Sequence, residues 1–257
     1  MSVQLVFTAL TGLPRIRPGD DLVEAIWLGL GREGMQLQLG DVIVVTQKVV
    51  SKAEGRHVNL DTVKPSPRAL ELAADTGKDA RLVEVILQES RGVLRTRPGS
   101  IIVEHRLGFV CANAGVDHSN VESPDGSPGE WVLRLPADPD RSAAALRQSL
   151  QARSGVGLGL LISDSHGRAW RLGTVGVAVG AAGFPALLDC RGLPDLFGYT
   201  LQATQVGLAD EVAAGASALM GQAAEGWPVV HVRGVRARSE QGKAADLIRP
   251  LEEDLFR

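Results

Sequence analysis

The chain is short of cysteine, of aromatics and of positive charge, and each shortage excludes something. The two cysteines, Cys111 and Cys190, are far apart and outside any CxxC pair. They cannot form a zinc site alone, and they do not read as the disulfide scaffold of a small secreted domain. A reducing cytoplasm is the natural location. Aromatics are 4% of residues, so Leu, Val, Ile and Ala must build the core. The net charge of -3, with no block of like charge, argues against nucleic acid as a partner. A membrane is equally unsupported. The longest uncharged run, Leu172 to Leu188, contains Pro185 and many glycines, and it falls short of the roughly 20 residues a spanning helix needs. It reads as buried backbone. The apolar start, Val3 to Leu10, has no basic residue before it and Arg15 soon after, unlike a signal peptide.

The common catalytic signatures are missing too. No GxxxxGK[ST] stretch, no strand–GxGxxG–helix unit, no HExxH and no GxSxG occurs. The alternating Gly155, Gly157 and Gly159 read as close backbone packing inside a strand.

What is present is a mixture of strands and helices. Val3–Ala9, Asp41–Thr46, Val156–Ser163 and Pro228–Val232 read as strands, with more strand within Ala169–Val179. Asp20-Asp21 opens a helix through Leu30. Ser66-Pro67 opens another that Gly77 ends, and Asp79 caps a third. Asp140 starts a helix to about Ala152, Ala209–Met220 forms one ended by Gly221, and Leu247–Phe256 forms a short terminal helix. Gly92 to Leu135 is rich in short strands. The elements follow no strict βαβ period, so the fold class is α+β, not Rossmann or P-loop. We expect residues 1–257 to form one unit of two connected lobes, with a strand-rich middle region over roughly 92–200.

Several polar segments follow apolar runs. In Gln47 to Gly55, Lys48 and Lys52 stand four apart and could converge on phosphate oxygens, or form a solvated edge. In Cys111 to Asn120, Asp117 offers a hard oxygen ligand for Mg²⁺ or Mn²⁺, and Asn113, Ser119 and Asn120 offer neutral groups. A polar turn reads equally well there. In Ser163 to Arg168, Asp164 is a second carboxylate at a strand end. Two such acids suit metal-assisted phosphoryl transfer, and Arg168 and Arg171 could neutralise phosphate. A hairpin turn is the plainer alternative. Asp189 to Gly198 and Met220 to Trp227 are loops that could bind substrate or simply connect. His118, His166 and His231 read as surface or core filler.

Five runs, in order, resemble the coenzyme F420-0:L-glutamate ligase family: GDVIVVTQKVVSKAEGR (Gly40 to Arg56), GFVCANAGVDHSNV (Gly108 to Val121), LPADPDRSA (Leu135 to Ala143), LISDSHGRAWRLG (Leu161 to Gly173) and DEVAAGASALMGQA (Asp210 to Ala223). The resemblance extends from about Gly12 to Gly234. It implies a GTP-dependent γ-glutamyl ligase using Mg²⁺ or Mn²⁺, two ions in all, and normally a homodimer with a two-lobed fold. It implies that Leu13, Pro14, Arg15, Ile16, Gln47, Lys48, Lys52 and Asn120 line the GTP site. The loop Met220, Gly221, Gln222, Ala223, Ala224, Glu225, Gly226 and Trp227 would close over the nucleotide. Asp117 and Asp164 would hold one metal, Ser165 and Gln222 the second, with Lys52 joining the two acids as catalytic. Ser165 stands where many relatives have Thr. Gln222 stands where some have Glu, and a neutral ligand would hold its ion more weakly. Some relatives continue into a nitroreductase-like flavin domain; with the sequence stopping at Arg257, no flavin chemistry is expected. The alternatives are a non-catalytic GTP-binding relative and a ligase acting on a modified F420 tail.

Overall fold

The computed structural model describes residues 3–236 and 241–255. In chain order its first elements are β1 (Val6–Ala9), α1 (Leu22–Arg32), β2 (Val42–Thr46), α2 (Gln47–Ala53) and β3 (His57–Asn59). There follow α3 (Pro67–Thr76), α4 (Ala80–Gln88), β4 (Ser90–Arg97), β5 (Ser100–His105), β6 (Val110–Ala112) and β7 (Trp131–Leu133). The last part holds α5 (Pro139–Ser154), β8 (Gly159–Arg168), β9 (Arg171–Ala182), β10 (Leu188–Asp189), β11 (Gln205–Val206), α6 (Leu208–Met220) and β12 (Val229–Arg233).

The β-branched run after Asp41 is buried on both faces, as a central strand should be. β2 sits in the middle of a five-stranded sheet of order β1-β12-β2-β8-β9. β2 and β8 run parallel, whereas β1/β12, β12/β2 and β8/β9 are antiparallel. This mixed pairing makes the class α+β. One face carries Ile43, Val45, Leu160 and Ile162 against α1 and α5. The other carries Val42, Val44, Leu161 and Val230 against Ala209, Val212, Ala213 and Ala216 of α6. The glycines of β9 permit both helices to come close. A Cβ at Gly176 would lie 2.6 Å from the Ala213 carbonyl oxygen, and one at Gly180 would lie 2.5 Å from that of Pro139. The run Leu172 to Leu188 is thus mostly β9, an edge strand that is buried from Ala178 to Ala182.

Between β2 and β8 the chain builds a second layer. β4, β5 and β6 form an antiparallel sheet whose Ile101 and Val103 pack on Ala69, Leu72, Val83 and Ile86 of α3 and α4. β3 and β7 pair beside it. Buried Glu89 ties this layer together, bound by Arg106 Nε at 2.6 Å, Arg56 Nη2 at 3.0 Å and Arg134 Nη1 at 3.2 Å. Burial alone would raise its carboxyl, but the three guanidiniums outweigh that and hold it below the ordinary range. His105 lies beside it, fully buried, with Nδ1 accepting from the Leu107 amide at 3.0 Å.

Of the strands over 92–200, β8 and β9 join β2, because the Leu160–Ile162 run of β8 completes the central core. β8 does not end at Ser163 but continues to Arg168, since β9 supplies a partner beyond the point where β2 stops. Gln47–Ala53, for which the sequence offers no element, is a helix. Residues 247–255 form no α-helix; the segment makes short 3-10 turns, Ala244–Leu247 and Leu251–Glu253, split by Pro250. Phe256 lies outside the described residues. Asp138, not Asp140, caps α5, while Asp140 accepts amides of Ala181 and Ala244, both at 2.8 Å.

Candidate active site

The C-terminal ends of the parallel pair β2 and β8 define the site. α2 begins directly at the end of β2, which fixes where its first turn points. Gln47, fully buried, donates through Nε2 to Asp117 Oδ2 at 2.6 Å and accepts from Ser51 Oγ at 2.9 Å. It therefore braces Asp117 through a neutral bond. Lys48 Nζ lies 3.6 Å from Asp117 Oδ1 and donates to Ser119 O and Oγ at 3.3 and 3.1 Å. The two lysines are one helical turn apart. Burial draws the Lys52 ammonium below its ordinary value, Glu122 opposes this, and Lys48 and Arg15 add to it. The region is thus crowded with positive charge, which an anion would relieve.

Asp117 is fixed by reciprocal backbone bonds to Leu133, at 2.9 and 2.8 Å. The tight turn before it has Asn113, Ala114 and Gly115 all at positive φ. Asn113 serves that turn, its Oδ1 accepting from the Ile101 amide at 3.2 Å. Asp117 is pushed up to about 6, first by burial and then by the charge of Asp164. Asp164 goes the other way. Burial would raise it, but His166 Nε2 at 3.0 Å from Oδ2 outweighs that and holds it below the ordinary range. Two carboxylates that repel each other in a partly desolvated place favour a cation between them.

Side chains alternate along β8. Asp164 and His166 share one face, on the side of Phe109. Ser163 and Ser165 share the other, on the side of α6. Ser163 Oγ lies 3.8 Å from Met220 Sδ, and Ser165 Oγ donates to Gln222 Oε1 at 2.9 Å. The four oxygen donors therefore form two separate pairs. Asp117 and Asp164 make one, Ser165 and Gln222 the other. Among the described residues no group of three or more His, Cys, Asp or Glu could hold a metal ion. The hard donors here are two acids, a hydroxyl and an amide oxygen, chemistry that suits Mg²⁺ or Mn²⁺.

The loop after α6 starts at Gly221, whose φ of 72° favours glycine. Ala223 O accepts from Asn120 Nδ2 at 3.0 Å, so this loop touches the Asp117 segment. Glu225 folds back onto the Ala223 amide at 2.8 Å. Residues Gln222 to Trp227 are exposed.

The remaining expected residues divide. Arg15 reaches Glu122 at 3.5 Å, and Pro14 is exposed beside it. Ile16 is buried in the main core and Leu13 packs against it, so their side chains serve packing. Asp189 and Arg191 pair with each other, Nε to Oδ1 at 2.9 Å. His118 stands 3.5 Å from Glu130. Sequence reasoning missed His166, treated as filler. The signal available was its i+2 spacing from Asp164 on a strand. It also missed Gln47 as the brace of Asp117, a contact 70 residues apart for which the chain gives no local sign.

Fold and site together define an α+β protein with acids, lysines, a hydroxyl and an amide gathered where β2 ends beside β8. Residues 12–234 match the family described as F420-0:Gamma-glutamyl ligase. The chain is 48% identical over 247 residues to coenzyme F420:L-glutamate ligase of Methanopyrus kandleri, covering 95% of this chain and 94% of that protein. It is 45% identical over 260 residues to the protein of that name from Methanothermobacter thermautotrophicus, covering 100% of each. The Archaeoglobus fulgidus protein of that name is 43% identical over 246 residues, covering 96% of this chain and 94% of its own length. The chain belongs to the F420-0:gamma-glutamyl ligase family.

Proposed function

We propose that this chain forms an amide bond between the amine of L-glutamate and the carboxylate of coenzyme F420-0, with GTP as the energy source. The observation that carries the reading is the Asp117–Asp164 pair beside Lys48, at the mouth of the central sheet. A carboxylate does not condense with an amine at neutral pH without activation. A carboxylate oxygen of F420-0 attacks the γ-phosphorus of GTP, the bridging P–O bond breaks, and GDP leaves. The glutamate amine then attacks the acyl carbon, expels phosphate and gives up its proton to solvent. No side-chain nucleophile is required.

Lys48 and Lys52 bind and orient the triphosphate as point charges. Gln47 holds Asp117 in place. Asp117 and Asp164 would hold one divalent ion, and Ser165 Oγ with Gln222 Oε1 a second. When bound, these ions supply shielding of phosphate charge and stabilisation of charge transferred to the leaving group. The Asn120–Ala223 contact lets the Gly221–Trp227 loop follow nucleotide binding. Incubating the protein with GTP, Mn²⁺, glutamate and F420-0 should yield a one-glutamate mass increment with matching GDP and phosphate. GTP binding without any increment would sink the reading.

The enzyme acts as a cytoplasmic homodimer in this reading. No helix among the described residues is long and apolar enough to cross a membrane. Trp170 and Leu172 at the β8–β9 tip are 88% and 97% exposed, and Leu196 and Phe197 on a second arm are 97% and 95% exposed. A second copy would cover such apolar tips. Light scattering should return twice the chain mass; a monomer at micromolar concentration would refute the pairing.

A further inference from the structure

We infer that His166 is a positioning residue that fixes the Asp164 carboxylate for cation binding. The inference rests on the cation site proposed above. An aspartate carboxylate turns about a broad, shallow torsion, so a ligating aspartate needs a partner to define its plane. Ligating carboxylates are commonly hydrogen-bonded from behind for this reason. Here Nε2 of His166 lies 3.0 Å from Asp164 Oδ2, and both side chains are 13% exposed. An ionised carboxylate only accepts, so Nε2 carries the proton and donates.

The donor is itself held. Strand alternation places the ring on the same face as Asp164, two residues on. His166 is paired to Val175 of β9, which fixes its backbone. Its ring centroid lies 5.4 Å from that of Phe109, and Phe109 stacks on buried His105 at 4.9 Å with the planes 3° apart. The second layer therefore supports the ring that supports the acid. Asp117 has a different brace, the neutral amide of Gln47. Each acid thus has a neutral side-chain donor from a regular element, and Asp117 has Lys48 beside it as well.

The test separates ring from donor. His166→Phe keeps a ring to pack on Phe109 and removes the hydrogen bond. His166→Gln places an amide N–H near the position of Nε2. His166→Leu is a second donor-free variant should the first not fold, and thermal melts identify folded protein. Mn²⁺ is titrated into each variant with GDP present and F420-0 and glutamate absent, following the free-ion EPR signal. Asp164→Asn serves as the control for the site itself. We expect the donor-free variants to weaken Mn²⁺ binding by about 10–100-fold and His166→Gln to recover most of it. Wild-type affinity in the donor-free variants would overturn the role of His166 and leave the cation site standing. Affinity in His166→Gln as low as in His166→Phe would also overturn it, because the ring rather than the donor would then matter. Unchanged Mn²⁺ binding in Asp164→Asn, or none in the wild type, would instead remove the cation site.

Discussion

Asp117→Asn and Asp164→Asn should each lower turnover by about 10²–10³-fold, the scale of losing one electrostatic stabiliser of developing charge, here the ion the acids would hold, while the protein stays folded. The fold is expected to survive because asparagine keeps the shape and an accepting oxygen. Gln47 Nε2 would still have an acceptor at position 117, and His166 Nε2 one at position 164. The folded protein gains one thing from Asp117→Asn, since a carboxyl already pushed up to about 6 by burial and by Asp164 is replaced by a neutral group. A melting temperature equal to or above that of the wild type, combined with lost GDP release, is therefore the expected signature. Raising Mg²⁺ or Mn²⁺ should restore the rate only in part, because asparagine offers the ion a neutral oxygen in place of a charged one. Near-normal turnover in either variant would remove the two acids from the chemistry.

How far the sequence reveals this arrangement depends on where the controlling information lies. α3 is legible because its signals are local. Ser66 accepts from the Ala69 amide, Pro67 occupies the first turn, and Gly77 closes the helix at a φ of 67°. β2 is legible because a central strand must be apolar on both faces. α2 is not legible. Its Lys-Val-Val-Ser-Lys pattern is short, and what makes it helical is burial of Val50 and Ser51 behind the sheet. The extension of β8 past Ser163 is hidden for a similar reason. Gly167 and Arg168 look like a turn, and only pairing with Thr174 and Arg171 keeps them in a strand. In the site, the acids and lysines could be singled out as residue types, but their convergence could not. Asp117 and Asp164 come from separate layers. Their proximity follows from β2 and β8 being parallel neighbours, with the Asp117 segment bonded to Leu133 alongside.

The stability profile in mild acid should be shaped most by two groups of opposite sign, with lowered His57 adding to one and raised Asp210 to the other, and removing each of the two should tilt it in opposite directions. His105 has 0% exposure, and burial first, with Arg106 and His166 adding to it against Glu89, lowers it to about 4. Unfolded histidine titrates near 6.5. Between those values the unfolded chain binds more protons, so stability falls on acidification, by about 2–3 kcal/mol between roughly pH 6.5 and 4.5. Asp117 runs the other way. Its folded value of about 6 exceeds that of an unfolded aspartate. The folded chain therefore takes up the extra proton, and acidification over the same window stabilises it. Partial exposure of Asp117 screens some of this effect. Glu89, Asp41 and Asp164 are all held below the ordinary range, so they contribute only at lower pH. Urea unfolding in the presence of a chelator, at about pH 6.5, 5.5 and 4.5, isolates the pair. His105→Phe keeps a ring for Phe109 to stack on but removes the acceptor for the Leu107 amide, so its baseline stability drops. Its profile should nonetheless reverse, with stability rising as pH falls. Asp117→Asn should steepen the loss on acidification. Profiles parallel to the wild type in both variants would mean that neither group titrates as its surroundings dictate, and the acid pair at the sheet's end would lose its electrostatic basis.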